Sequence, residues 1–425
     1  MKMKRRGFKP NDHTYTILLK ALSNNPSENV VERANEVYLT LQESDKISKI
    51  HYNALLKVYA RAGAHREMMR TYKRMMESGS VPDTMTYSIL FNSFARNDIG
   101  TFDELMSIWD EAQAQMKKLV SDSGTPLKVD DRLLAAFINA VRNTGTLAKH
   151  FQVGMAAFDE AHGLRISGRG RPLDSLNKAR MIKPSEATFR SMLLLLNKAR
   201  KFGLANEYIE ELYPLITVDA AAVNAIIAIR YSEQKYSEAV SCLETMKKLN
   251  LRPNASTFDM LIRSCGKMYK GREAKDPAIW SDLSKILRQH TEEMKLRKKQ
   301  SFPDKDLQLS TKSCVEIMRI ARAAAAGAST HEQKAEIFEL CLQCVESQRW
   351  RTALNKVGSD KHFLLAQWIS DAYTFLLEEP FESREVSSEK MASWKKSRQF
   401  ALSALRQSRS AVGSVRNNRE QQQEL

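Results

Sequence analysis

Glycine and proline are scarce in this chain. Sixteen Gly and 11 Pro in 425 residues are too few for an all-β protein with many tight turns. Cysteine is scarcer still. Cys242, Cys265, Cys314, Cys341 and Cys344 do not make a disulfide framework at this length, and they fit a reducing compartment. No run of about 18 apolar residues exists, so no transmembrane helix is expected. The N-terminus, MKMKRRGFKP, is basic but lacks the apolar segment of a secretory signal. Acidic residues are the minority, 50 against 66 Lys and Arg, a formal charge of +16. That excess points to a polyanionic partner, a nucleic acid or an acidic membrane surface.

Catalytic and metal-binding patterns are also missing. The eight histidines are scattered, with no HExxH and no plausible Cys–His pairing. Cys341 and Cys344 form a lone CxxC without a second pair, so packed small apolar residues are the better reading than zinc. Carboxylates sit at helix-surface spacing and form no cluster for a two-metal nuclease. No deaminase signature is present. No enzyme activity, metal, cofactor or small-molecule substrate is expected.

What is present is a repeat. Four segments superimpose on Pro10, Pro82, Pro184 and Pro253. Each continues with a small polar residue, two variable residues, Thr, an aromatic and an apolar helix face, as in Pro82-Asp83-Thr84-Met85-Thr86-Tyr87. Weaker copies start at Lys49, Asp131 and Ala220. Units therefore begin near Asp12, Lys49, Thr84, Asp131, Glu186, Ala220 and Ala255, with a degenerate one near Lys305. Those from Lys49 to Asp83 and from Ala220 to Asn254 are each about 35 residues long.

Each unit reads as two helices. Tyr52, Leu55, Leu56 and Tyr59 make one apolar stripe, Gly63 allows a turn, and Met68, Met69, Tyr72, Met75 and Met76 make a second. Gly79 and Pro82 then end the unit. In the sixth unit Ala239, Cys242, Leu243 and Met246 play the same part. So small a hairpin cannot bury both stripes alone, and stacking against neighbours gives a solenoid.

Insertions interrupt the array. Residues 163–183 carry Arg165, Arg169, Arg171, Lys178, Arg180 and Lys183 against Asp174, which suits a basic arm on a nucleic-acid face or a solvated loop. Its Gly168–Pro172 stretch is not a phosphate-binding loop, since no Gly-Lys-Ser/Thr follows. A long basic helix is expected at 277–299, then helices near 307–326, 331–347, 360–378 and 388–408. The domain plan is the end of a truncated upstream repeat at 1–11, an array at 12–304, a degenerate repeat with a helical cap at 305–410, and a disordered tail at 411–425.

A unit of this length, with Thr-aromatic early in the first helix, a Gly hinge, a Met- and Leu-rich second helix and a closing Gly79-x-x-Pro82-Asp83, resembles the pentatricopeptide repeat. The resemblance covers roughly residues 1–300. It implies an all-α, right-handed α-solenoid of about seven to eight helix-turn-helix units with a helical C-terminal cap. It also implies single-stranded RNA as partner, one base per unit, read by one first-helix residue and the last residue of the unit. On that pattern Asn53 with Asp83 favours uridine, Asn224 with Asn254 a pyrimidine, and Ser88 with Asp130 guanine. Thr16 pairs with Ser48, an unusual ending. Ala135 with Ser185 cannot read a base edge, Arg190 with Asp219 suggests phosphate contact, and Asp259 lacks a clear partner. Arg169, Arg171 and Arg190 are the expected backbone contacts. The bland alternative for all the polar positions is helix surface and N-cap.

The degenerate pairs, insertions and helical tail look like those of fungal mitochondrial members of the family. These mature small-subunit ribosomal RNA, stabilise its 5′ end and aid group I intron splicing. The resemblance thus implies a mitochondrial location, with any presequence upstream of residue 1, and a ribosomal RNA precursor or transcript as target. The alternatives are a structural subunit of the mitochondrial small ribosomal subunit and a messenger stability or translation factor.

Overall fold

The first helix of the second unit shows how the sequence builds the fold. His51, Tyr52, Leu55, Leu56, Val58 and Tyr59 recur at helical spacing and are buried, while Lys49, Ile50 and Lys57 face solvent. Gly63 ends this helix at φ 71°, its N–H bonded back to the Tyr59 carbonyl. Ala239, Leu243 and Met246 form the equivalent buried stripe of a second helix. Met68, Tyr72 and Met75 do the same in the second unit, but Met76 is exposed and Cys242 only half-buried, so these stripes are narrower than expected.

The computed structural model describes residues 10–24, 27–43, 47–96, 100–118, 129–164, 182–270, 277–299, 307–346, 360–378 and 387–423. These form helices and connections, with no strand among the described residues. The chain divides into two compact units, Met1–Val218 and Asp219–Leu425. The first holds five helical hairpins: α1 (Asp12–Asn24) with α2 (Val30–Glu43), α3 (Lys49–Ala62) with α4 (His65–Glu77), α5 (Thr84–Arg96) with α6 (Phe102–Lys118), α7 (Asp131–Thr144) with α8 (Ala148–His162), and α9 (Glu186–Lys198) with α10 (Phe202–Leu212). The second holds four: α11 (Ala220–Ser232) with α12 (Tyr236–Lys248), α13 (Ala255–Lys270) with α14 (Pro277–Lys299), α15 (Thr311–Gly327) with α16 (His331–Glu346), and α17 (Asp360–Glu378) with α18 (Ser388–Gln423).

Within each unit, first helices stack on first helices: α1 on α3, α3 on α5, α5 on α7 and α7 on α9, then α11 on α13, α13 on α15 and α15 on α17. The fourth residue of these helices supplies the seam. Tyr15, Tyr52, Tyr87, Leu134, Phe189, Val223, Phe258 and Cys314 are all buried. Fully burying a large apolar side chain contributes about 1.5–3 kcal/mol, so the seam outweighs any single polar contact. Polar links stitch its C-terminal end in the first unit. Arg61 donates to the Ser23 carbonyl at 2.9 Å, Asn143 to the Phe94 carbonyl at 2.9 Å, and Lys198 to the Asn143 carbonyl at 3.2 Å. Each satisfies a carbonyl in the last turn of the preceding first helix, which that helix cannot bond itself.

The insertions are tied where they leave and re-enter the array. Ile182 N–H donates to the Ala161 carbonyl and the His162 ring Nδ1 lies 2.8 Å from the Ile182 carbonyl, so the two ends of the basic segment meet at α8. His290, fully buried, meets the Leu307 carbonyl through Nε2 at 3.0 Å. Cys341 and Cys344 are buried in α16, with Cys344 Sγ beside the Leu287 carbonyl, and burial pushes the Cys344 thiol up to about 12. Two expectations are corrected. Helix α15 starts at Thr311, later than foreseen, because Ser310 caps it by accepting from Ser313 N–H. Helix α18 continues to Gln423 where a disordered tail was expected, since Arg, Gln and Glu after Gly413 favour helix and no proline intervenes.

Two glycines with open space around them have opposite roles. A Cβ at Gly63 or Gly203 would meet nothing within 4 Å, but only Gly63 has positive φ. Gly63→Ala is expected to destabilise by about 1 kcal/mol. Gly203→Ala, inside α10, is expected to stabilise by about 0.5–1 kcal/mol. Thermal unfolding of the two variants followed by circular dichroism checks both signs.

Candidate nucleic-acid interface

With the fourth residue of the first helices from α1 to α15 buried in the seam, the fifth stands at its edge, half-buried in all but α7, where Ala135 is buried. In the second unit this residue is Asn53 on α3. Its amide Nδ2 donates to Asp83 Oδ1 at 3.2 Å, and its Oδ1 accepts from the Thr86 hydroxyl at 2.7 Å. Asp83 is also the N-cap of α5. Its Oδ1 accepts from Thr86 N–H at 3.0 Å, and its own N–H donates to Thr86 Oγ1 at 3.1 Å. Asp83 Oδ2 lies 3.4 Å from Lys49 Nζ. The bland reading and the functional one therefore coincide: one carboxylate caps a helix and holds the neighbouring amide.

The same array recurs in the second compact unit. Asn224 Nδ2 donates to Asn254 Oδ1 at 3.3 Å, and Asn224 Oδ1 accepts from the Thr257 hydroxyl at 2.7 Å. Asn254 caps α13 by accepting from Thr257 N–H at 3.1 Å and donating its own N–H to Thr257 Oγ1 at 3.1 Å. Thr86 and Thr257 are both 0 % exposed. Each hydroxyl has one proton and two acceptors in reach. The preceding Asn is the nearer in both arrays, at 2.7 Å against 3.0 Å to Asp83 and 3.2 Å to Asn254.

Among the described residues, no hydrogen bond of this kind joins Thr16 with Ser48 or Ser88 with Asp130. Thr16 donates to the Asp12 carbonyl of its own helix. Ser48 instead faces His51, with Oγ and Nδ1 at 3.0 Å, and His51 Nε2 reaches the Asp12 carbonyl at 3.2 Å. Asp130 caps α7 through Leu133 N–H at 2.7 Å, and among the described residues no hydrogen bond links it to Ser88. Arg190 lies half-buried on α9, while Asp219 caps α11 in the other compact unit, accepting from Ala222 N–H. Arg169 and Arg171 lie outside the described residues.

Sequence reading missed three features. Asp259 does have a partner: its Oδ1 accepts from Ser310 N–H at 2.9 Å, across the whole insertion. Thr86 and Thr257 were visible as repeat markers, but not as partners of the preceding unit. Ile50 and Met85, the second residues of α3 and α5, are 63 % and 59 % exposed, large apolar side chains flanking Asn53 and Asp83 in sequence. Exposed apolar residues in the first turn of a first helix were the available signal.

Burial alone would raise the Asp83 carboxyl. The Thr86 N–H, the Thr86 hydroxyl, the Asn53 amide and the Lys49 ammonium together outweigh it and hold the group below its ordinary value. A carboxyl lowered on folding adds stability above its unfolded value, and that stability is lost as pH falls through the depressed folded value. Asp83→Asn keeps the cap and removes this titration. The variant should therefore lose less stability than the parent on acidification below the ordinary carboxylate range, as read by unfolding midpoints across pH.

The fold and its two matching arrays define a helical-repeat class, and comparison with known proteins shows which repeats they are similar to. Residues 48–96 match the PPR repeat family, and 216–268 match the pentatricopeptide repeat domain. A chloroplastic pentatricopeptide repeat-containing protein of Arabidopsis thaliana is 30% identical over 145 residues, 31% of this chain and 18% of that protein. Two crystal structures of the pentatricopeptide repeat protein PPR10 with an 18-nt psaJ RNA element, one carrying three Cys-to-Ser substitutions, superimpose with TM-score 0.51 at 15% identity. Both matches cover 97% of this chain and 52% of PPR10, so the chain spans about half the length of that protein and less of the Arabidopsis one. The chain thus contains two segments that match pentatricopeptide repeat models, in an all-α fold similar to the PPR10 solenoid.

Proposed function

We propose that the chain binds single-stranded RNA along the exposed edge of its stacked first helices and does no chemistry of its own. The observation that carries this reading is the identical array at Asn53–Asp83 and Asn224–Asn254, in two units of family length in separate compact bodies. The formal charge of +16 supports a polyanionic partner, and PPR10 was solved with an RNA element.

The chemistry left unspent in each array suggests what it takes. Asn53 keeps one amide N–H, and Asp83 Oδ2 remains an acceptor beside Lys49. A donor next to an acceptor complements uracil, whose O2 and O4 accept and whose N3–H donates. Asn224 keeps one N–H and Asn254 its whole amino group, because the Asn254 carbonyl oxygen is used in capping. Two donors complement the adjacent O2 and N3 acceptors of cytosine. Ile50 and Met85 would bracket the base beside Asn53. Phosphate neutralisation by Lys and Arg supplies most of the affinity, so binding weakens steeply with salt.

The mechanism is occupancy: bound protein shields the RNA from nucleases and keeps it single-stranded. We place it in an organelle, for which the chloroplastic relative is the support, and favour the mitochondrion. The process we favour there is 5′-end maturation and stabilisation of small-subunit ribosomal RNA, with a role in group I intron splicing. The small number of linked pairs suits a short site on a large ribonucleoprotein. It equally suits a structural subunit of the mitochondrial small ribosomal subunit, which is the second reading.

Selection from a random-sequence RNA pool tests base reading. Asn53→Ala should abolish a preference at one position only, and Asp83→Asn should move that position from uridine toward cytidine by roughly tenfold, the scale of one or two hydrogen bonds. Neutralising Arg169 and Arg171 together should weaken binding to all sequences alike. Equal loss on every RNA in all these variants would remove the base-reading claim.

A further inference from the structure

The side chain that fixes each reading asparagine belongs to neither member of its pair. It is the third residue of the next first helix, one unit on. We propose that Thr86 and Thr257 are positioning residues that determine the base specificity of the preceding unit, by locking the amides of Asn53 and Asn224. This rests on the base-reading function proposed above.

The geometry is the same twice. Each hydroxyl is fully buried and donates to an Asn Oδ1 at 2.7 Å. Each also accepts the backbone N–H of the N-cap residue, Asp83 or Asn254. The Asn oxygen is thereby turned inward and its nitrogen toward the cap side chain. An unconstrained amide presents either end to a base and discriminates poorly. An amide held at both ends presents an N–H alone, at no cost in ordering when RNA arrives.

Other units show what replaces this link. His51 occupies the same register after Asp12's unit, and its ring reaches a backbone carbonyl, leaving Thr16 bonded within its own helix. Leu133 occupies it after Ser88 and brings no hydroxyl. In both cases the predicted pair is not assembled. Whether a reading asparagine is locked therefore depends on a residue outside its unit; Thr188 stands at the same register after Ala135, which has no amide to hold.

The test uses the full-length chain and a random-sequence RNA pool, with Thr86→Val, which keeps the shape and removes the hydroxyl, and Thr86→Ser, which keeps the hydroxyl. The position read by Asn53 is the one whose preference Asn53→Ala abolishes. Thr86→Val should lower the preference there by roughly three- to tenfold, the range for one hydrogen bond. The Asn224 position and the overall affinity for the pool should stay as they are. Thr86→Ser should retain the parental preference. Thr257→Val should produce the converse pattern in the other compact unit, and serves if Thr86→Val does not fold. A lowered Tm with unchanged preference in the valine variants would make the threonines helix caps alone and overturn the proposal. Equal loss in Thr86→Ser and Thr86→Val would overturn it too. If Asn53→Ala and Asn224→Ala leave every position unchanged, base reading itself fails, a result distinct from either of these.

Discussion

Everything else in the molecule is referred to the seam between consecutive first helices. A residue four places into each first helix is buried in all eight of the repeat hairpins, aromatic in five and aliphatic or Cys in the others. Fixing that residue inward fixes the angle of every other position on the helix. The third residue is then directed to the preceding helix, the fifth to the edge, and the second to solvent. Met85 in the open and Thr86 touching Asn53 follow from Tyr87 being buried, and Asn53 at half burial follows from Tyr52 being buried. The polar array has no need of its own scaffold, because the hydrophobic one has already set its geometry.

The array also economises on helix ends. The first N–H groups of a helix lack internal partners and need a cap. Asp83 and Asn254 supply it, and the same oxygen that caps holds the neighbouring amide. Loss of either cap residue would therefore loosen a helix start and a reading side chain together. The pairs differ only in the group turned outward, carboxylate or amide. Two chemically distinct faces thus arise from one backbone arrangement.

The periodic part of this was legible in the sequence. Pro82, Thr86 and Tyr87 recur as Pro253, Thr257 and Phe258 at one spacing, and they place Asn53 and Asn224 without any structure. Contacts between units were not legible, because a repeat alignment compares each unit with the others and not with its neighbour. That is why the threonines counted as markers and not as partners. Asp259 was missed for a related reason: its partner lies 51 residues on, beyond a long helix and an insertion, where unit length no longer predicts position. Ser48 faces His51 and Asp130 caps α7, and in both the following unit offers no hydroxyl to complete the link.

The central claim is that RNA lies along the first turns of the first helices. Photocrosslinking the full-length chain to RNA containing 4-thiouridine, followed by mass spectrometry of the attached peptides, tests this directly. Crosslinks confined to the starts of α3, α5, α11 and α13, around Ile50, Asn53, Met85 and Asn224, are the predicted result. Crosslinks on the second helices, such as α4 or α12, with none on those first turns, would contradict it.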